Sequence, residues 1–201
     1  MIVINFKNYK TGKKALELAE KIQRYLPKAI VCVGFNDVER VCKKKLMVFT
    51  QYIGSKNARD LKKLGAVGSL LNHSEHRINF REIKEKLKEC KKIKFKVIVC
   101  AGSVSEAKKI KRLKPWAIAY EDPNLIGTGK SITKYNGKEV EKFVKMLKGS
   151  KIIPLCGAGI GNLEDVLEAK RLGCKGILIS SAIAKDKKPE RFLKELKKSG
   201  I

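Results

Sequence analysis

The chain has 201 residues, which suits one domain and is long enough to bury a sizeable core. Hydrophobic residues make up 43% of it and charged residues 33%, a balance that excludes a disordered chain. No apolar run approaches the roughly 18 residues of a membrane span. The first ten residues lack the charged start and apolar stretch of a signal peptide. We therefore expect a cytoplasmic protein with no membrane contact.

The formal net charge of +26 raises the question of nucleic-acid binding. However, the lysines are spread along every helical stretch and form no single basic block. Aromatic residues make up only 6% of the chain, which leaves few platforms on which bases could stack. We therefore interpret most of the charge as solvated helix faces and expect no specific nucleic-acid partner. A positive field would also steer an anionic substrate inward.

Six cysteines are present, and none of them forms a Cys-x-x-Cys pair. Several lie inside apolar runs, so we interpret them as small buried side chains in a reducing compartment. The paired spacing of a zinc site is missing, and we predict no metal. The six are Cys32, Cys42, Cys90, Cys100, Cys156 and Cys174.

Short apolar runs alternate with amphipathic helical stretches along the whole chain. The runs are nearly continuous in Val, Ile and Leu, as is typical of parallel strands covered on both faces. They are Ile2–Ile4, Ala29–Val33, Leu46–Phe49, Val67–Leu71, Val97–Cys100, Ala117–Tyr120, Ile152–Leu155 and Gly176–Ile179.

The helical stretches between these runs carry start and stop signals. Three pairs resemble capping boxes, in which the first side chain accepts from the first turn and the Glu reaches back: Asn36 with Glu39, Asn79 with Glu82, and Ser103 with Glu106. Asn162 is expected to begin a helix that ends at Gly173, and Pro189 suits the first turn of the last helix.

Eight strand–helix repeats predict an α/β protein with a parallel sheet. An open doubly wound sheet is the alternative, but eight units without a break in composition favour closure. We therefore predict a single (β/α)8 barrel over residues 1–201, with loops and helices trimmed because the chain is short for this fold.

Polar residues and glycines follow nearly every predicted strand. In a barrel these positions surround one mouth, where catalytic groups concentrate, and backbone N–H groups of loop glycines and serines suit a phosphate. They include Asn5 and Lys7, Gly34 and Asn36, Gln51, Asn72, His73 and Glu75, Cys100 and Gly102, Glu121, Gly157 and Gly159, and Ser180 and Ser181.

Three short patterns resemble known motifs but lack residues or positions that those motifs require. Gly127–Ser131 (GTGKS) is typical of the end of a nucleotide-binding P-loop, but the pattern needs Gly where Asn124 stands. The glycines of Gly157–Gly161 follow the wrong strand for a dinucleotide fingerprint. His73 and His76 lack further ligands that would complete a metal site.

Three segments nevertheless occur in order, each where a strand ends: Ile4–Lys7 (INFK), Leu70–Arg77 (LLNHSEHR) and Ala119–Lys130 (AYEDPNLIGTGK). Together they resemble the triosephosphate isomerase family. Leu155–Ile160 (LCGAGI), with the serine pair after the eighth strand, is similar to the short archaeal branch. The resemblance covers nearly the full length. It implies a TIM barrel that interconverts dihydroxyacetone phosphate and glyceraldehyde 3-phosphate through an enediolate, without metal or cofactor.

The resemblance also implies roles for individual residues. Glu121 matches the general base, and His73 matches a neutral electrophile that polarises the substrate carbonyl; this family is a standard example of such pKa tuning. Lys7 matches a cation that stabilises the anionic substrate, and Glu75 matches a carboxylate that supports proton transfer. The substrate and phosphate contacts carried over are Asn5, Phe6, Lys7, Ile126, Gly127, Gly159, Ser180 and Ser181, with 122–130 as a closing lid.

The chain departs from the family at three places. Asp122 stands directly after the base where Pro is usual, and Ala182 stands where the eighth strand is usually followed by Gly. The long third loop, which in the usual dimer inserts beside the partner's active site, has no room after Gln51. We therefore expect a monomer or an oligomer assembled through helices.

Two other functions remain open at this point. Another sugar-phosphate barrel enzyme would not require the combination of Lys7, His73 and Glu121. A barrel of low activity with non-specific nucleic-acid binding would use the charge instead, and would bind in a salt-sensitive way.

Overall fold

The computed structural model describes residues 1–54 and 57–200. Eight parallel strands form a closed barrel in chain order, and the last strand pairs with the first through Val3 and Leu178. This confirms the predicted single (β/α)8 barrel. The strands β1 to β8 are Ile2–Asn5, Ile30–Val33, Met47–Thr50, Gly68–Leu71, Lys96–Ala101, Ala117–Tyr120, Ile153–Cys156 and Gly176–Ile179.

Helices cover the outside of the barrel, several of them short, in keeping with the length of the chain. Helices α1 to α10 are Gly12–Tyr25, Val38–Cys42, Ala58–Lys63, Phe80–Lys92, Val104–Lys111, Ile132–Tyr135, Gly137–Leu147, Leu163–Arg171, Ser181–Ala184 and Glu190–Lys198. Short 3₁₀ turns occur at Lys7–Tyr9, Phe35–Asp37 and Pro123–Leu125. In the part of the chain described, no helix is both long and apolar enough to cross a membrane.

The apolar side chains form two layers, because successive residues of a strand point to opposite faces. Inside the barrel, side chains such as Val3, Phe49 and Leu155 pack together, and small residues such as Ala117 leave room for them. The larger outer layer lies between the strands and the helices. The interior is therefore a packed core, and only the rim is free for chemistry.

The predicted helix signals are confirmed in part: of the three predicted capping boxes, one is complete. Asn79 and Glu82 form the complete capping box, and Asn162 caps α8. The box predicted at Asn36 is wrong: Asn36 lies inside a 3₁₀ turn, and α2 begins after Asp37. The Asp37 carboxylate does not cap the backbone of α2, since it accepts from the Gly12 N–H at 2.9 Å and from the Arg40 guanidinium at 2.8 Å.

The two ends of the barrel have different roles in connecting the elements. The strands run into the β-to-α loops at one end, which we call the C-terminal end. The helices return to the strands at the other, which we call the basal end. Because all eight strands are parallel, every loop of one kind lies at the same end.

Lysines in the last turns of three helices tie neighbouring helices together at the basal end. The ammonium groups of Lys62, Lys91 and Lys111 each donate to a backbone carbonyl where a following helix ends. The acceptors are Ile93, Leu113 and Met146, at 2.7, 2.6 and 2.6 Å. A cation near a helix C-terminus also interacts favourably with the helix dipole. Part of the high lysine content therefore has a structural role.

Candidate active site

Five of the predicted residues converge at the C-terminal end of the barrel. Asn5 ends β1, His73 follows β4 and Glu121 follows β6. The Nε2 atom of His73 lies 3.3 Å from Asn5 Nδ2 and 3.8 Å from Glu121 Oε2. The Lys7 ammonium lies 3.5 Å from the Glu75 carboxylate. Side chains from strands on opposite sides of the barrel thus meet across its mouth.

The backbone at Lys7 is held in an unfavourable conformation. Its φ is +47°, a left-handed value that costs energy for any residue with a Cβ. The Asn5 side-chain oxygen accepts from the Lys7 N–H at 3.0 Å, and the Gln51 side chain donates to the Lys7 carbonyl at 2.8 Å. These two buried side chains hold the backbone from both sides, which fixes where the ammonium can reach.

His73 is held as a neutral imidazole with its proton on Nε2. Its Nδ1 accepts from the backbone N–H of Glu75 at 3.3 Å, so that nitrogen carries the lone pair. Burial lowers the pKa of His73 to about 4, with a further lowering contribution from the charge of Lys7. The Asn5 amide oxygen already binds Lys7, so its NH₂ faces the ring. Two donors then face each other, and the Nε2–H remains available for a ligand.

Glu121 is the most perturbed carboxyl group of the site. Burial raises its pKa to about 7, although the nearby charge of Lys7 and the thiol of Cys100 favour the ionised form. Its Oε2 atom is buried and has no hydrogen-bond partner among the described residues. A buried oxygen without a hydrogen-bond donor lowers the stability of the folded protein. Such groups are concentrated at sites where a ligand supplies the missing hydrogen bond.

A buried polar network supports the loop that carries His73. Asn72 has a φ of +58°, and its side chain donates to the Cys100 carbonyl and to Glu106, each at 2.9 Å. Glu106 also accepts from Arg77 at 2.6 Å and from the Gly102 N–H at 2.7 Å. The loops after β4 and β5 are therefore braced against each other. Because Glu106 binds here, it does not complete the predicted capping box with Ser103, whose oxygen still caps α5.

The segment predicted as a lid is anchored at both of its ends. At the first end, the Asp122 carboxylate accepts from the Asn124 N–H at 2.9 Å and from the Asn136 side chain at 2.7 Å. At the other end, the Ile132 N–H donates to the Ala158 carbonyl at 3.1 Å. Between the anchors, Gly127 and Gly129 adopt left-handed φ values of +78° and +77°. Asp122, the departure from the family, thus has a defined structural role.

The predicted phosphate-binding positions lie on the loops after β7 and β8. Gly159 has a φ of +68°, and a Cβ there would overlap the carbonyl of Lys130 at the end of the lid segment. The Ser180 hydroxyl donates to the Asn5 carbonyl at 2.8 Å and joins the ends of β8 and β1. Ser181 opens α9, so its N–H has no partner within the helix.

Three other predicted residues lie in different surroundings. The Phe6 side chain is fully buried in the outer core, where it serves packing and is not exposed to the mouth. Ile126 packs partly against the same core, and Gly127 is exposed at the middle of the lid segment. The structure therefore brings together Asn5, Lys7, His73, Glu75 and Glu121, and leaves Phe6 outside the set.

Two residues that the sequence places at the mouth have supporting roles that it does not predict. Cys100, expected to be a small buried side chain, lies against the Glu121 carboxyl group. Gln51, which follows β3, donates to the Lys7 carbonyl. Their position after or near the end of a strand was the available signal, but it does not identify their partners.

Two of the short patterns that resemble known motifs have other surroundings in the structure. The GTGKS sequence belongs to the lid segment and is followed by the four-residue helix α6. The His76 ring stacks on Tyr52 at 4.4 Å, on the outer side of its loop. Within residues 1–54 and 57–200, no three His, Cys, Asp or Glu side chains group as metal ligands.

Comparison with known proteins agrees with this geometry. The family model described as "Triosephosphate isomerase" matches residues 1–197. Triosephosphate isomerases of Sulfolobus acidocaldarius and Methanocaldococcus jannaschii are 35% and 33% identical to the chain. The matches cover 100% and 98% of the chain and 95% and 98% of the relatives.

A solved triosephosphate isomerase from Bartonella henselae superimposes with a TM-score of 0.68. It is 21% identical and covers 96% of this chain and 98% of its own, so it supports the fold alone. The full-length family match and the sequence identity to archaeal enzymes carry the assignment. On this evidence, the chain belongs to the triosephosphate isomerase family.

Proposed function

We propose that the protein interconverts dihydroxyacetone phosphate and glyceraldehyde 3-phosphate. One observation carries this proposal: a buried, unpaired carboxylate oxygen of Glu121 lies 3.8 Å from the Nε2 of a neutral His73. Such a pair offers a base and a hydrogen-bond donor to adjacent atoms of one small substrate. Because aldose–ketose isomerisation moves protons between neighbouring carbon and oxygen atoms, the pair suits this reaction.

In the forward direction, the Glu121 carboxylate takes a proton from C1 of dihydroxyacetone phosphate. The electron pair of the broken C–H bond forms the C1–C2 double bond of an enediolate, and the carbonyl oxygen gains the negative charge. The Nε2–H of His73 donates to that oxygen, and the Lys7 ammonium stabilises the charge. Glu121 then returns a proton to C2, and a proton moves from the C1 hydroxyl to the C2 oxygen. No electron leaves the substrate, so the balance requires no redox cofactor.

The phosphate of the substrate fits the loops after β7 and β8. Backbone N–H groups at Gly159, Ser180 and Ser181 provide donors of the kind that bind phosphate. The lid segment, whose end packs on Gly159, would cover the phosphate and exclude water from the enediolate. Exclusion of water strengthens every electrostatic contact in the site.

The first test removes the base. Glu121→Gln keeps the shape of the side chain but cannot accept the proton, so we expect kcat to fall by at least about a hundredfold, the scale of acid–base catalysis. A coupled assay of glyceraldehyde 3-phosphate conversion measures this. Glu17→Gln, on the exposed face of α1, is the matched control and should retain full activity. Activity of Glu121→Gln within a few-fold of the parent would refute the assignment.

The second test uses pH. A protonated carboxyl group is not a base, so kcat/KM should fall as the pH drops through about 7, the raised pKa of Glu121. The Lys7 charge lowers that pKa, and Lys7→Met should therefore move the acidic limb to higher pH. The control Lys84→Met, on the exposed face of α4, should leave the limb in place. An acidic limb that stays fixed in Lys7→Met would contradict the electrostatic coupling.

We further propose that the chain does not dimerise through its third loop. The connection between β3 and α3 runs only from Gln51 to Asn57, and positions 55 and 56 of it lie outside the described residues. A connection of this length leaves no room for the long inserted element, which supports the proposal. We therefore expect the protein to be a monomer or an oligomer that is joined through its helices.

Analytical ultracentrifugation tests this, with Tyr52→Ser as the variant because Tyr52 is 44% exposed within the third loop. The parent and the variant should sediment with the same mass. A tight parent dimer that Tyr52→Ser dissociates would show that the third loop forms the interface after all.

A further inference from the structure

The α-to-β connections at the basal end of the barrel carry charge of only one sign. They contain lysine and arginine but no aspartate or glutamate. These connections are 26–29, 43–46, 64–67, 93–95, 112–116, 148–152, 172–175 and 199–200. The loops of the C-terminal end, in contrast, carry both signs, with Asp37, Glu75, Glu121 and Asp122 among them. The basal connections are therefore uniformly positive, whereas the loops at the other end are mixed in sign.

Most of these basal cations are exposed and lack a carboxylate partner. The lysines at positions 28, 43, 45, 94, 114, 148, 151 and 175 and Arg112 are all exposed. Within the described residues, only Lys44 among the basal connections forms an ion pair, with Glu20 at 2.7 Å. The remaining charges face water and repel one another, which destabilises the surface unless an anion binds.

Three of these lysines occupy positions where lysine costs stability. Lys45, Lys94 and Lys114 have φ values of +55°, +55° and +50°, each just after a helix ends. Glycine is the usual residue at such a left-handed position, because it has no Cβ to crowd the backbone. Among the described residues, the other non-glycine residues with positive φ are Lys7, Asn72 and Ala158, all in loops of the candidate active site.

Lys94 and Gly173 allow a direct comparison of lysine and glycine at the same position after a helix. Each donates its backbone N–H three residues back, to Lys91 and Lys170, and the next residue donates five residues back. The two helix ends thus have the same hydrogen-bond pattern, and one uses glycine while the other uses a strained lysine. Folding alone would favour glycine at both positions. Lysine at position 94 therefore carries a backbone cost that glycine would avoid, beside whatever its charge gains from the helix dipole.

A groove in this surface is lined by lysines around the single tryptophan. It has a volume of about 360 Å³, and no acidic residue lines it. The Lys96 ammonium lies 5.0 Å from the centre of the Trp116 ring. The other lysines that line it are Lys91, Lys94, Lys114 and Lys151.

We propose that the basal end binds the phosphate backbone of nucleic acid without sequence specificity. The cations are spread over several connections around the ring, which matches a polymer of phosphates better than one small anion. Nearly all of them are lysines, which bind phosphate as point charges and lack the planar fork of arginine that reads bases. Trp116 is only partly exposed and lies beside Lys96, so stacking on bases contributes little.

The test measures binding of fluorescein-labelled duplex DNA by anisotropy, in low salt and at increasing salt. The basal variant combines Lys45→Gly, Lys94→Gly and Lys114→Gly, which relieves the strained backbone as it removes charge. The control variant combines Lys13→Gln, Lys84→Gln and Lys108→Gln, which removes the same charge from exposed faces of α1, α4 and α5.

We expect the basal variant to bind at least about tenfold more weakly, with a salt slope smaller by about 0.9 for each phosphate that it no longer neutralises. The control variant should bind within about twofold of the parent, since distant exposed charges are screened. Trp116 fluorescence should change when DNA binds the parent, because the groove surrounds that ring. Both variants should retain isomerase activity and thermal stability, which separates this proposal from the proposed function.

Three results would overturn the proposal. The parent fails to bind duplex DNA even in low salt. The two variants weaken binding equally, in which case net charge and not the basal end is responsible. The parent binds phosphatidylserine vesicles but not DNA, in which case the surface recognises a lipid layer.

Discussion

The chemistry that we propose for this protein depends on burying two ionisable groups, Glu121 and His73, beside each other. Burial raises the pKa of Glu121 and lowers that of His73, so near neutral pH the carboxyl group is poised to exchange a proton while the imidazole stays neutral. Neither shift is possible on an open surface, because water would restore the ordinary values. The closed barrel provides the required burial at the ends of its strands.

The rest of the mouth holds these two groups in place and limits what they can bind. Lys7 is held in a left-handed backbone conformation by Asn5 and Gln51, and Asn72 adopts a similar conformation beside His73. Strain of this kind persists only where surrounding contacts over-determine it. Stability is thus reduced at positions around the mouth and is restored by the two apolar layers, which have no such constraint.

The sequence was sufficient to predict the barrel, since eight apolar runs alternate with amphipathic helical stretches, as parallel strands and helices require. It also located Lys7, His73 and Glu121, because each follows a strand closely. It could not predict which neighbours brace them. Cys100 and Phe6 show the difficulty: both are apolar residues near strand ends, yet Cys100 lies against the Glu121 carboxyl group and Phe6 packs in the outer core. Only the tilt and register of the strands decide which way such a side chain points.

The most direct test of the buried pair is the ionisation of His73, measured by ¹⁵N NMR of the imidazole nitrogens. The chain has two histidines, so His76→Gln identifies the remaining signals. We predict a neutral ring with its proton on Nε2 that does not titrate until the pH falls towards about 4. A ring that becomes an imidazolium between about pH 6 and 7, the range of an ordinary histidine, or one that carries its proton on Nδ1, would contradict this prediction.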